Sequence, residues 1–168
     1  ARVRNAMPGV ELEIIVVDDG SGDNTHLVAR RAGADKVIKL AKNRGKGAAV
    51  RAGMMSASGS YFVFTDVDLS YDPSQISALV EALDAGADAA LGSRRHPSSS
   101  EITSAPALRE QGSRIFNQFT RLVVGSSHLD TQCGLKGFTA EAAKQIFSRT
   151  KVDGFAFDVE VLHLAEKL

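Results

Sequence analysis

Two carboxylates stand at i and i+2 in Thr65-Asp66-Val67-Asp68, where the apolar run Tyr61-Phe62-Val63-Phe64 ends. On a strand, such a pair shares one side, roughly 7 Å apart. At the carboxyl end of a strand in an α/β sheet, that side opens onto the ligand crevice. One or two carboxylates together with ligand phosphates commonly hold Mg²⁺ or Mn²⁺. Like charges at a sheet edge repel unless a cation compensates them. The residues alone leave a second reading open, two capping or loop aspartates. A second acidic pair, Asp18-Asp19, ends an earlier apolar run in the same way. Its side chains point to opposite sides, so one of them faces the crevice. That carboxylate suits ribose or base hydrogen bonds, and helix capping is the alternative.

Further polar clusters follow the same logic. Asn43-Arg44-Gly45-Lys46-Gly47 opens a helix with two glycines and two cations, an arrangement that favours anions, or else forms a solvated turn. It has neither Walker A nor G-x-G-x-x-G spacing. Gly92-Ser93-Arg94-Arg95 brings two guanidinium groups, natural phosphate partners, to another strand end. Asp130-Thr131-Gln132-Cys133-Gly134-Leu135-Lys136 offers a base, an amide and a cation within seven residues. In Phe157-Asp158-Val159-Glu160 the acids read by default as caps.

These clusters need a scaffold, and the pattern supplies one. Glu11 to Asp19 is a β-rich run suited to a strand buried on both faces of a parallel sheet. A turn at Gly20-Ser21-Gly22-Asp23 leads to a helix over Thr25–Gly33, capped by Asp23 or Asn24. A short strand over Val37–Leu40, a helix over Gly45–Ser58 and a strand over Tyr61–Asp68 come next. Asp72-Pro73 starts a helix with proline at its first position, its apolar face made by Ile76, Leu79, Val80 and Leu83. Ala89–Ser93 is another strand. Alternating strands and helices predict a parallel sheet of βαβ units. The rhythm breaks at Arg94. A Ser- and Pro-rich loop over 96–107 precedes an amphipathic helix over 109–124, which reads as core-facing or as lying on an anionic membrane surface. A short strand over Lys136–Thr139 and helices over 140–149 and 157–168 complete the chain.

Bulk properties narrow the classes. At 168 residues, 43% hydrophobic and 24% charged, the chain fits one globular domain. Net charge is zero with no basic stripe, which argues against nucleic acid. Cys133 is the single cysteine, so no intrachain disulfide forms, and a reducing compartment suits it. The four histidines lack metal-ligand spacing. No run is long and apolar enough for a membrane span, and no signal peptide opens the chain. Ala1–Ala6 reads as the tail of a helix and Glu166–Leu168 as the inside of one, so the chain reads as a piece of a longer protein.

Taken in order, Val16-Val17-Asp18-Asp19-Gly20-Ser21, Asn43-Arg44-Gly45-Lys46-Gly47, Asp66-Val67-Asp68 and Gly92-Ser93-Arg94 resemble family 2 glycosyltransferases. Asp130 to Lys136 and Phe155 to Glu160 are similar to the dolichyl-phosphate β-glucosyltransferase branch and its bacterial polyprenyl-phosphate relatives. The resemblance covers nearly the whole chain. It implies a GT-A, Rossmann-like three-layer α/β/α fold with a mostly parallel central sheet. The family's first strand, ending in a Pro-x-Tyr/Phe-Asn-Glu type motif, has no counterpart here. The expectation is a single catalytic domain over 1–168, truncated at both ends.

The resemblance also implies roles. Asp18 and Asp19 sit near base and ribose. Asp66 and Asp68 form the D-x-D motif, with Asp68 on the Mg²⁺ or Mn²⁺ of the donor diphosphate and Asp66 towards the sugar or ribose. Lys46 counts among the substrate-binding residues, Arg94 and Lys136 face phosphate, and Asp130 and Gln132 border acceptor and donor sugar. The expected reaction is inverting transfer of a hexose, glucose from UDP-glucose first, from a nucleotide-sugar donor to a polyprenyl or dolichyl phosphate. Alternatives are GDP-mannose as donor, a polysaccharide or glycolipid synthase acting on a hydroxyl with Asp130 as base, and a non-catalytic nucleotide-sugar-binding module. The implied setting is cell-envelope glycosylation at the cytoplasmic face of a membrane, reached through the 109–124 helix or segments outside this chain.

Overall fold

The computed structural model describes residues 2–68, 70–92 and 133–168. Arg94, Asp130, Gln132, the 96–107 loop and the 109–124 helix lie outside the described residues.

Among the described residues there are six helices and five strands, the strands forming two sheets. β1 (Ile15–Asp18) pairs in parallel with β2 (Lys36–Lys39), from Ile15 against Lys36 to Asp18 against Lys39. α2 (Thr25–Arg31) joins them. Asn24 holds the N-cap position without a side-chain cap bond, and Asp23 just before it accepts the Thr25 N–H on its Oδ1 at 2.9 Å. β1 is shorter than the apolar run that contains it. Its first three residues are only half-buried, because among the described residues β2 pairs with it on one side alone.

β3 (Tyr61–Thr65), β5 (Leu135–Thr139) and β4 (Ala89–Leu91) form the second sheet, with β5 in the middle. β5 runs antiparallel to both neighbours, so β3 and β4 point the same way. α3 (Lys46–Ser56) and α4 (Gln75–Asp84) flank this sheet together with α5 (Ala140–Phe147) and α6 (Phe157–Lys167). Helix α1 (Arg2–Ala6) precedes β1. Thr139 both ends β5 and caps α5, its hydroxyl accepting the Ala142 N–H at 3.2 Å.

The period-2 alternation of β3 divides the core. Tyr61 and Val63 face Ile76, Leu79 and Leu83 of α4, with Met7, Ala90 and Leu135 in the same cluster. Phe62 and Phe64 face the other way, against Met54 of α3, Phe138 of β5, Phe147 of α5 and Phe157 of α6. Helices thus cover both sheet faces, giving three layers. The aromatic side is close-packed: Phe64 meets Phe147 edge-on at 6.5 Å, and Phe138 meets Phe147 at 5.6 Å. The expected apolar face of α4 is the buried one, but the helix starts two residues after Pro73. Asp72 first closes a turn, accepting the Ser74 N–H and hydroxyl at 2.9 and 2.7 Å.

Candidate active site

The ends of β1 and β3 and the start of α3 converge through hydrogen bonds made by the acidic pairs. Asp18 is 2% exposed. Its Oδ1 accepts the Ser21 N–H at 2.8 Å, which closes the turn after β1. That backbone bond chiefly holds the Asp18 carboxyl below its ordinary range. Its Oδ2 is buried with no hydrogen-bond partner, 3.8 Å from His26 Nδ1. A buried carboxylate oxygen in that condition is a place where a ligand donor is favoured.

Asp19 works differently. Its Oδ1 and Oδ2 accept the N–H groups of Arg44 and Gly45, each at 2.8 Å. The capping reading placed this residue on the helix after the next turn; instead it bonds the distant 44–45 loop that leads into α3. Gly45 is the N-cap of α3 at φ +104°, a conformation that L side chains rarely adopt. The carboxylate of Asp19, from 26 residues upstream, thus holds the loop that leads into α3 through the N-cap residue and the residue before it. Asp153 braces the same loop from the other side. Its carboxylate pairs with Arg44 at 2.8 Å and with Arg51, and its carbonyl accepts the Ala48 N–H at 3.2 Å. The sequence reading missed Asp153, which lies in a polar loop with no distinguishing pattern.

The D-x-D residues follow β3 instead of lying on it. The strand ends at Thr65, and Asp66-Val67-Asp68 enters a turn, so the side-by-side strand geometry expected for the two carboxylates does not apply. Val67 is 93% exposed, which shows how far this turn reaches into solvent. Asp68 is exposed, and its Oδ1 accepts the Ser70 N–H at 3.0 Å. Asp66 is half-buried, and its Oδ1 lies 2.7 Å from Lys46 Nζ. Among the described residues, a side-chain cation beside Asp66 is thus Lys46, the first residue of α3.

Lys136 is corrected by its burial. It is 0% exposed, and its ammonium donates to Asp158 and, at 2.6 Å, to the Cys133 carbonyl oxygen. It also lies 5.3 Å from the centre of the Phe64 ring. It faces the core and not a phosphate, because β5 sits between β3 and β4 and turns Lys136 and Phe138 to the aromatic side. Asp158 is 3% exposed. Burial pushes its carboxyl above the usual range, and Lys136 opposes that push. Removing one partner of such a pair costs about 3–5 kcal/mol. Glu160 is not a helix cap either: from within α6 its carboxylate accepts the N–H groups of Lys151 and Val152 in the preceding loop, and the N-cap of α6, Ala156, has no side-chain cap bond.

Among the described residues, no three His, Cys, Asp or Glu side chains gather as a protein-only metal cage. Asp66 and Asp68 instead offer hard carboxylate oxygens at a solvent-facing turn. That donor set fits Mg²⁺ or Mn²⁺ completed by ligand phosphates. Also among the described residues, no helix is long and apolar enough to cross a membrane.

Residues 1–147 match the family model described as "Glycosyl transferase family 2". A dolichyl-phosphate β-glucosyltransferase of Drosophila melanogaster is 39% identical over 96% of this chain and 53% of its own length. The Homo sapiens protein of the same name is 37% identical over 95% of this chain and 53% of its own. The chain therefore spans about half the length of the curated relatives it matches. Among solved structures, glucosyl-3-phosphoglycerate synthase from Mycobacterium tuberculosis, in complex with Mn²⁺, UDP-glucose and glycerol 3-phosphate, superposes with a TM-score of 0.68. That match has 22% identity and covers 96% of this chain and 58% of that one. The likeness establishes a GT-A-type fold.

Proposed function

The chain belongs to glycosyltransferase family 2, and from that premise we propose that it forms the catalytic domain of an inverting glucosyltransferase acting on UDP-glucose and a polyprenyl or dolichyl phosphate. The observation that carries this reading is the junction at the end of β3. There a half-buried Asp66, an exposed Asp68 and the ammonium of Lys46 meet at one solvent-facing turn.

In this reading Asp66 and Asp68 hold Mg²⁺ or Mn²⁺ together with the donor diphosphate. When bound, the metal supplies positive charge to the diphosphate that departs. Lys46 adds a second positive charge on the donor side. Asp18, through an Oδ2 that makes no hydrogen bond, receives a donor group of the base or ribose, and Asp19 keeps the 43–45 loop in shape beside it. Arg94 on phosphate, and Asp130 and Gln132 at the sugar and acceptor, complete the proposal from outside the described residues.

The acceptor sets the demand for a base. A phosphate monoester has its second pKa near about 6, so at neutral pH it is mostly dianionic and attacks the anomeric carbon without losing a proton. A sugar hydroxyl needs a general base, the role Asp130 would then take. A polyprenyl-phosphate acceptor also places the working protein at a membrane surface.

The test offers labelled UDP-glucose, Mn²⁺ and either dolichyl phosphate or free sugars to the full-length protein. Label on the lipid phosphate supports the reading. Label only on a sugar hydroxyl removes the lipid acceptor, and tight UDP binding without turnover on any acceptor favours a binding module.

A further inference from the structure

One turn of α6 touches the site twice without presenting a group to it. Phe157 lies under the Lys46 ammonium, 5.8 Å from ring centre to Nζ. Its neighbour Asp158 bonds the ammonium of Lys136. Lys136 in turn holds the Cys133 carbonyl at 2.6 Å, closing a clamp over the turn of the chain at Gly134, just before β5. Gly134 lies inside that turn, and a Cβ added there would collide with Asp66 Oδ2. The Gly134 backbone is therefore the wall against which the Asp66 carboxylate rests, with the long, flexible Lys46 on its other oxygen.

Stability alone does not call for charges at these positions. Well-packed apolar residues of similar volume often replace a buried ion pair at no cost. What apolar residues cannot do is hold the Cys133 carbonyl and so fix the turn.

We propose that Lys136 and Asp158 are positioning residues: they lock the Cys133-Gly134 turn against Asp66 and so set the place of the carboxylate that binds the donor's metal. This rests on the metal-binding reading of Asp66 and Asp68 given above.

The test measures Mn²⁺ binding in the presence of UDP, by the EPR signal of free Mn²⁺, on the full-length protein. Thermal melting and hydrogen exchange at Gly134 and Leu135 accompany it, the exchange on metal-free protein. The double variant Lys136→Met/Asp158→Leu keeps the volume and leaves no orphaned charge. It should melt near wild type, exchange faster at Gly134 and bind Mn²⁺ about 10- to 100-fold more weakly, the usual cost of losing a group that orients a metal ligand. Gly134→Ala, which leaves the ion pair intact, should weaken Mn²⁺ binding similarly and so decides the matter if the double variant does not fold. Wild-type Mn²⁺ affinity in either folded variant overturns the proposal. A wild-type protein that binds no Mn²⁺ with UDP instead refutes the metal reading. In that event unchanged exchange at Gly134 in the double variant, or in Lys136→Met if the double variant is unfolded, overturns the locking of the turn as well.

Discussion

Lys46 Nζ and Asp66 Oδ1 are 2.7 Å apart, and the two residues come from different elements, the first turn of α3 and the end of β3. Both side chains are partly exposed, so the pair contributes at most about 1 kcal/mol to stability. Its larger consequence is electrostatic, because the ammonium occupies the position where an added cation would be attracted.

Replacing Lys46 with Met removes that competing charge. Nucleotide-free Mn²⁺ binding should tighten roughly threefold, the equivalent of a partly exposed ion pair. The KM for UDP-glucose should rise in the same variant, since a positive charge beside the diphosphate is lost. Calorimetry with Mn²⁺ alone and steady-state kinetics separate the two effects. Weaker Mn²⁺ binding without nucleotide would contradict the competition.

Asp19 fixes the start of α3 through the N–H groups of Arg44 and Gly45. Asp19→Ala leaves both without a partner and should lower stability by about 1–2 kcal/mol, with Asp19→Asn costing less. Urea unfolding measures the difference. An Asp19→Ala midpoint equal to wild type would show that the two hydrogen bonds do not hold the loop.

Asp153 gives a pH signature. Arg51 first, then Arg44, hold its carboxyl below the ordinary range. A depressed folded pKa means that the stabilisation is complete above the unfolded value of about 4 and is lost as pH falls through the lower folded value. Asp153→Asn should therefore lose stability at neutral pH and show a shallower further loss below about pH 4. Melting temperatures from pH 7 down to pH 3 follow it. An acid limb as steep as wild type would assign acid sensitivity to other carboxylates.

Much of the fold was readable because local periodicity decides it. Ile76, Leu79 and Leu83 repeat at helical spacing and are the buried face of α4. The alternation of Tyr61, Phe62, Val63 and Phe64 sends two residues to each cluster. The strand order was not readable, since nothing in Leu135-Lys136-Gly137-Phe138-Thr139 reveals that it pairs between β3 and β4 and antiparallel to both. That placement is what buries Lys136. A signal for its role did exist. Lys136 and Phe138 share a strand face, and Asp158 shares a helix face with Val161 and Leu162, both buried. A lysine and an aspartate that each fall on apolar faces are better read as a pair than as a phosphate ligand and a cap. Asp19 was the reverse case. Its partners lie 25 and 26 residues away, beyond any local pattern.

The central claim is that a divalent cation held by Asp66 and Asp68 is needed to move glucose onto a lipid phosphate. The direct measurement is transfer of label from UDP-glucose to dolichyl phosphate by the full-length protein, with Mn²⁺ or with EDTA, in wild type and Asp68→Ala. The account predicts transfer by wild type in Mn²⁺ and a fall of about 100-fold or more both in EDTA and in Asp68→Ala, the scale expected when charge stabilisation at a leaving group is removed. Equal transfer in EDTA and in Mn²⁺ would contradict it.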